Sequence, residues 1–471
     1  MRGITKKCCL AMFLIAGFTA FAQNKTGESS PVDLTVTLTI DDAVKYALEH
    51  SSTLKSNDID LDMKRRAKNN SWNVFLPDVS AMATVGRSNK VYKQTMTGIV
   101  PDYDANEEAH WSQQGNIVAS ISASLNLSLA YISTISAAYK QYELQEISWE
   151  KVQNETIVNV RKLFYGLLLQ KKSLEIQHTS LENLKNRYIQ ADANYKNGVI
   201  PEIQLLQAQV AYQNKKPEVE QLERTYKQQL DMFAFVIGFP MDSNLDITGE
   251  IEPTFVDVNG DVLIERYSSQ SIDSKTLDKN LEILKSNLNA INFQSYTPAL
   301  SLSYGLQPVH LGNASDMFSD IGSEKWMENG KLSFTLAWNL TNMLPWSKNR
   351  QNAQDLRDNI KKLEIQKQQL SENQKMNVRK NIDTLTQSKE QIEAMRRNVT
   401  VAQRSYDMTV RSYRSGTTEY LALKDAQAQL DQAKLALENQ KFNYISALLD
   451  LENTLSINLV DSYTKNTEET N

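Results

Sequence analysis

Four histidines, His50, His110, His178 and His310, are the side chains best suited to proton transfer or metal ligation. An imidazole does such work beside a second ligand or base, as when two histidines stand one helical turn apart in H-E-x-x-H. No such spacing occurs in this chain, and neither a G-x-S-x-G nucleophile turn nor a glycine-rich phosphate loop is present. The two cysteines, Cys8 and Cys9, are adjacent and lie in an apolar run at the N-terminus. These residues predict no enzyme, no metal site and no cofactor. Lys+Arg is 51 against 56 Asp+Glu, a formal charge of −5, with none of the basic excess that nucleic-acid binding needs.

The run that holds the cysteines reads as an export signal. Arg2, Lys6 and Lys7 precede the apolar stretch Cys8 to Ala20, and Ala20-Phe21-Ala22 is a small-residue cleavage site. Residues 1–22 are therefore expected to be removed, leaving an extension at 23–38 and a mature chain without cysteine. No later stretch approaches the roughly 20 apolar residues of a transmembrane helix. Export without such a helix places the protein beyond the inner membrane.

The remaining informative positions are two glycines in similar settings. "YKNGVIPEIQLLQAQ", Tyr195 to Gln209, returns as "YRSGTTEYLALKDAQ", Tyr413 to Gln427, an offset of 218 positions. The offset also holds along the flanks. Val160, Leu167, Leu174, Leu181, Tyr188 and Tyr195 map onto Val378, Leu385, Ile392, Val399, Tyr406 and Tyr413. Beyond the glycine, Leu205, Tyr212, Val219, Tyr226 and Phe233 map onto Leu423, Leu430, Leu437, Tyr444 and Leu451. An apolar or tyrosine residue every seven keeps one seam facing a neighbour along a helix, as in coiled coils. Each glycine then marks the tip of a helical hairpin, where the chain reverses with φ > 0. The long helices are expected at about 132–197 and 346–415, and the return helices at about 201–237 and 418–455. Pro217 should kink the first return helix.

Upstream of each long helix the period changes from seven to two. In "NIVASISASLNLSL", Ile121 and Leu125 belong to an apolar set that alternates with serine and asparagine. In "KLSFTLAWNLT", Phe334 and Trp338 do the same against serine, threonine and asparagine. Each is a strand with one apolar and one small polar face. Weaker partner strands follow Pro77 and Pro298, so each half supplies one strand hairpin. Strands of about ten residues can cross a tilted bilayer path, but four cannot close a barrel alone. In a membrane, several copies must therefore close it together. A helix precedes each hairpin, the first opening with a Thr39–Asp42 capping box. The organisation is a first repeat at 39–238, a connector at 239–260, a second repeat at 261–457 and a flexible tail at 458–471.

This order resembles the TolC-type outer membrane efflux family. "LTIDDAVKYALEHSSTLKS", the strands "FLPDVSAMATVG" and "YTPALSLSYG", and the tips at Gly198 and Gly416 carry the resemblance. It implies a mainly α fold in which coiled-coil-like hairpins form an α-barrel and four transmembrane strands per protomer join a trimeric β-barrel. It implies a homotrimer in outer membrane lipid that extends through the periplasm. Its partners would be a periplasmic adaptor (membrane fusion) protein and an inner-membrane transporter of RND, ABC or MFS type, in efflux or type I secretion. Adaptor contacts would fall at Gly198, Val199, Gly416 and Thr417. The periplasmic aperture would fall at Tyr413 and Asp425. The family has acids six and nine positions after the second glycine, where this chain has Ala422 and Asp425. Gln204 and Thr418 stand where the family's partners of the tip tyrosine would be acid and arginine. The rival expectation is a secreted or periplasmic coiled-coil scaffold without a pore. The two differ at Ile121, Leu125, Phe334 and Trp338, which face lipid only in a channel.

Overall fold

The computed structural model describes residues 36–87, 92–95, 98–101, 115–240, 244–257, 260–267, 271–310, 326–327, 330–457 and 459. The expected signal, most of the extension and nearly all of the tail lie outside the described residues, as does His110.

The first half begins with β1 (Val36–Leu38), α1 (Ile40–His50) and α2 (Ser52–Asn69). A 3-10 turn at Ser71–Phe75 leads into β2 (Asp78–Arg87), then β3 (Tyr92–Thr95), β4 (Gly98–Pro101) and β5 (Gly115–Leu127). The long helix α3 (Ala130–Lys196) and its return α4 (Glu202–Ile237) complete it. The connector carries β6 (Leu245–Ile247). The second half follows as α5 (Gly260–Tyr267), α6 (Ile272–Tyr296), β7 (Ala299–Leu306), β8 (Val309–His310), β9 (Trp326–Met327) and β10 (Gly330–Ala337). A second 3-10 turn, Leu340–Met343, precedes α7 (Lys348–Arg414) and α8 (Tyr420–Leu455).

The duplication is visible in the element bounds. Helices α3 and α7 each have 67 residues and α4 and α8 each have 36. Each of the four bounds recurs 218 positions later, as in 348 − 130 and 455 − 237. A 67-residue helix is about 100 Å long. Of the 22 seam positions, 21 are buried or half-buried and only Tyr195 is exposed. The seam pairs concentrate in two equivalent cores. Val160, Leu167, Phe233 and Ile237 lie in one, and Val378, Leu385, Leu451 and Leu455 in the other. Removing such side chains from water contributes roughly 1.5–3 kcal/mol each. Helix α4 remains helical through the expected kink at Pro217.

The expected capping box is formed. Thr39 Oγ1 accepts from Asp42 N–H, while the Asp42 carboxylate accepts from Thr39 N–H, both at 3.3 Å. The Thr39 hydroxyl also donates to that carboxylate at 2.6 Å, and this bond, followed by the one from Thr39 N–H, holds the Asp42 carboxyl below its usual range. The single helix expected after it is broken at Ser51, which is extended at ψ 128° and buried. Ser271, at the equivalent break, caps α6 and accepts 2.7 Å from Gln374 Nε2. The connector does more than join halves. Its β6 pairs in parallel with β1, Val36 to Leu38 against Leu245 to Ile247. Lys171 Nζ clamps that pair from α3, at 2.8 Å from Asp246 Oδ1 and 2.7 Å from the Ile247 carbonyl.

All four hairpin helices end in one turn type. The second residue past the cap bonds back across six residues, as in Val199 N–H to Asn194 O at 2.8 Å. This turn needs a left-handed residue, supplied by Gly198, Gly238 and Gly416. The fourth position is Ser456, the counterpart of Gly238, at φ 56°. An L side chain there costs roughly 1–2 kcal/mol. We therefore expect Ser456→Gly to stabilise the protein by about 1 kcal/mol. Gly238→Ala should cost more than that, because its Cβ would stand 2.5 Å from the His50 carbonyl oxygen. Thermal unfolding followed by helical circular dichroism checks both signs.

Candidate membrane sheet and helical tips

Four long antiparallel strands run in the order β2–β5–β7–β10 within a six-stranded sheet, to which the two-residue strands β8 and β9 add through a β5–β8 contact. Strands β2 with β5 and β7 with β10 are the two expected hairpins, and the β5–β7 contact joins them. The register sorts the rows nearest the helices by chemistry, while further along the polar face Met82 stands opposite Ser120 and Val118 opposite Thr84. Leu125–Leu302–Phe334 and Leu127–Leu300–Leu336 run across one face. Asp78–Ser124–Ser303–Ser333 and Asn126–Ser301–Thr335 run across the other. On that polar face Ser80 Oγ and Ser122 Oγ are 2.9 Å apart.

The apolar face is uncovered. Phe334 and Leu336 are each 71% exposed, Ile121 54% and Trp338, just past β10, 50%. Leu125, on the central strand β5, is half-buried by its neighbours. The outer edges of β2 and β10 have no strand partner among the described residues. An apolar face over polar hydroxyls, with two edges that lack strand partners among the described residues, has the polarity that a closed membrane sheet requires.

At the opposite end both hairpin tips reach one level. Arg187 Nη2 donates to Tyr406 Oη at 3.3 Å, tying α3 to α7 just above the tips. Gly198 and Val199 are exposed at one tip, and Gly416 and Thr417 at the other. A Cβ on either glycine would meet nothing within 4 Å. Tyr413 lies half-buried in the seam, its ring centroid 6.3 Å from that of Tyr420. Burial raises the Tyr420 phenol above its ordinary pKa. Asp425 is exposed on α8.

Two of the histidines are packing and surface residues. His50 stacks on Tyr46 at 4.1 Å, and His178 Nε2 is 2.9 Å from Glu223, linking α3 to α4. No cluster of three His, Cys, Asp or Glu suited to a metal occurs among the described residues. No described helix is long and apolar enough to cross a membrane.

A strand sheet of this polarity above paired rods of this length defines an outer-membrane channel architecture. The family model for outer membrane efflux proteins matches residues 43–238 and 291–456, well over half of the chain. The chain belongs to the outer membrane efflux protein family, and its place is the outer membrane. This is the family that the strand and tip motifs resemble. Among solved structures it is similar to the CmeC outer membrane channel of Campylobacter jejuni, at 15% identity and TM-score 0.71. That match covers 91% of this chain and 88% of the other. The outer membrane protein VceC of Vibrio cholerae matches at 15% identity and TM-score 0.67, over 88% and 95%. The open state of the Neisseria gonorrhoeae MtrE channel matches at 15% and 0.65, over 89% of each chain. No curated protein matches the chain.

Sequence reading had not placed the turns that join strands to helices. There Trp72, Phe75 and Trp346 are exposed, beside Trp338. The aromatics at both ends of the alternating segments were the available signal. For the tips, Gly198→Ala and Gly416→Ala should each lower stability by about 1 kcal/mol through backbone strain alone. Equal shifts in thermal midpoint are expected, since the space around both is open.

Proposed function

We propose that this protein is the passive outer-membrane duct of a tripartite efflux or type I secretion system. Three copies close one twelve-stranded barrel through the open edges of β2 and β10, with the hydroxyl face inside and the apolar face on lipid. The sorted faces of the sheet carry this reading. An open edge in hydrocarbon leaves backbone groups unpaired at several kcal/mol each, so copies that meet edge to edge are strongly favoured. Helices of about 100 Å continue the passage through the periplasm. The tips at Gly198, Val199, Gly416 and Thr417 meet a periplasmic adaptor, which couples the duct to an inner-membrane transporter. The chain itself catalyses no reaction.

Single cysteines at Ile121, Leu125, Phe334 and Trp338, in a protein whose mature form has none, test the membrane face. Labels there should be quenched by lipid-borne quenchers and shielded from aqueous ones. Labels open to water, on protein that stays soluble without detergent, would establish the pore-free scaffold instead.

Three exposed Asp425 carboxylates brought together near the tip would favour cations over anions. Asp425→Asn should reduce cation preference, read as a smaller reversal potential across a salt gradient in planar bilayers. An unchanged potential would place Asp425 outside the passage.

A further inference from the structure

Charge is distributed unevenly along the chain. Four segments pass through the sheet and its junction with the helices: 63–87, 115–142, 283–310 and 330–354. Together they hold ten Lys or Arg and one acid, Asp78, with Asp62, Glu143, Glu282 and Asp355 immediately outside their bounds, in a chain whose formal charge is −5. The cations gather on the helix side of the junction. Lys64, Arg66 and Lys348 are exposed and make no ion pair among the described residues. Arg350 Nη1 donates to Tyr296 Oη at 2.5 Å, and Lys68 Nζ lies 3.8 Å from the Tyr142 ring centroid.

Helix stability explains only part of this. Arg66 and Lys68 in the last turn of α2 suit its dipole, but Lys348 and Arg350 in the first turn of α7 oppose theirs. Immediately above them stand Trp72, Phe75, Trp338 and Trp346, between 42% and 74% exposed. In chain order they fall between the apolar strands β2 and β10 and these cations. Amphipathic aromatics belong at a membrane–water boundary, and cations just outside it attract anionic headgroups.

We propose that this junction binds the anionic phospholipid headgroups of the leaflet facing the helices. The aromatic rings sit at the acyl–headgroup boundary, and Lys64, Arg66, Lys348 and Arg350 meet the phosphates. The inference rests on the membrane reading of the sheet given above and adds to it a preference among lipids. It commits to lipid because exposed aromatics separate the cations from the apolar strands along the chain, whereas a soluble anion would need no such neighbour.

The full chain is reconstituted into phosphatidylcholine vesicles containing brominated phosphatidylcholine or brominated phosphatidylglycerol, and tryptophan quenching is compared. A preference of roughly threefold or more for phosphatidylglycerol is expected, weakening as salt is raised. The triple variant Lys64→Gln, Arg66→Gln, Lys348→Gln removes no described contact, so it should insert normally and bring the ratio close to one. Equal quenching by both lipids in the unaltered protein, or an undiminished preference in the variant, would overturn the collar while leaving the channel standing. No quenching by either lipid would remove the membrane reading and this inference together.

Discussion

An apolar side chain at every seventh residue, kept up along helices of 67 residues, is the constraint on which the other features depend. A straight α-helix would carry such a row slowly round its surface, so the helices must coil about one another to keep it inside. Val160, Val378, Ile392 and Leu451 show how completely this succeeds, since none retains accessible surface. With the rods paired this way, the strands are held at one end and the glycine turns at the other. The distance between membrane sheet and tips then becomes a matter of helix length alone.

The two halves obey the same plan with different side chains, and their departures are informative. Tyr444 Oη accepts 3.0 Å from Val256 N–H in the buried core, whereas its counterpart Tyr226 has a buried hydroxyl with no hydrogen-bond partner among the described residues. Burial pushes the Tyr226 phenol up to about 12. Its folded pKa exceeds the ordinary 10, so its contribution to stability is present below pH 10 and is lost as pH rises towards 12. Gly238 packs against the His50 carbonyl, a closeness that only glycine allows, while the equivalent turn holds Ser456, half-buried at φ 56°. Duplication preserved the backbone path; each half then settled its own neighbours.

Much of this was legible in the residues because the repeated pattern is long and local. The seven-residue step located four helices to within two residues, and the alternating segments located both strand hairpins. Three features escaped because they are set by contacts remote in sequence. The β5–β7 pairing, which merges two hairpins into one sheet, leaves no local mark. The break at Ser51 falls inside a continuous helical pattern and is fixed by burial, not by a proline or glycine. The three-residue strands β1 and β6 are too short to show a period. At the tips the glycines announced their turns, but Tyr413 proved to have an aromatic neighbour, Tyr420, that its spacing alone did not reveal.

The pairing of β1 with β6 has a consequence for how the molecule is made. Val36 finds its partner at Leu245, so the clasp spans the whole first half and closes only once the connector exists. A chain delivered from its N-terminus exposes an unpaired edge throughout synthesis of the first pair of rods. Late closure of so distant a contact slows folding and leaves an adhesive strand waiting. Brevity is the safeguard: three residues offer a wandering neighbour too little to hold.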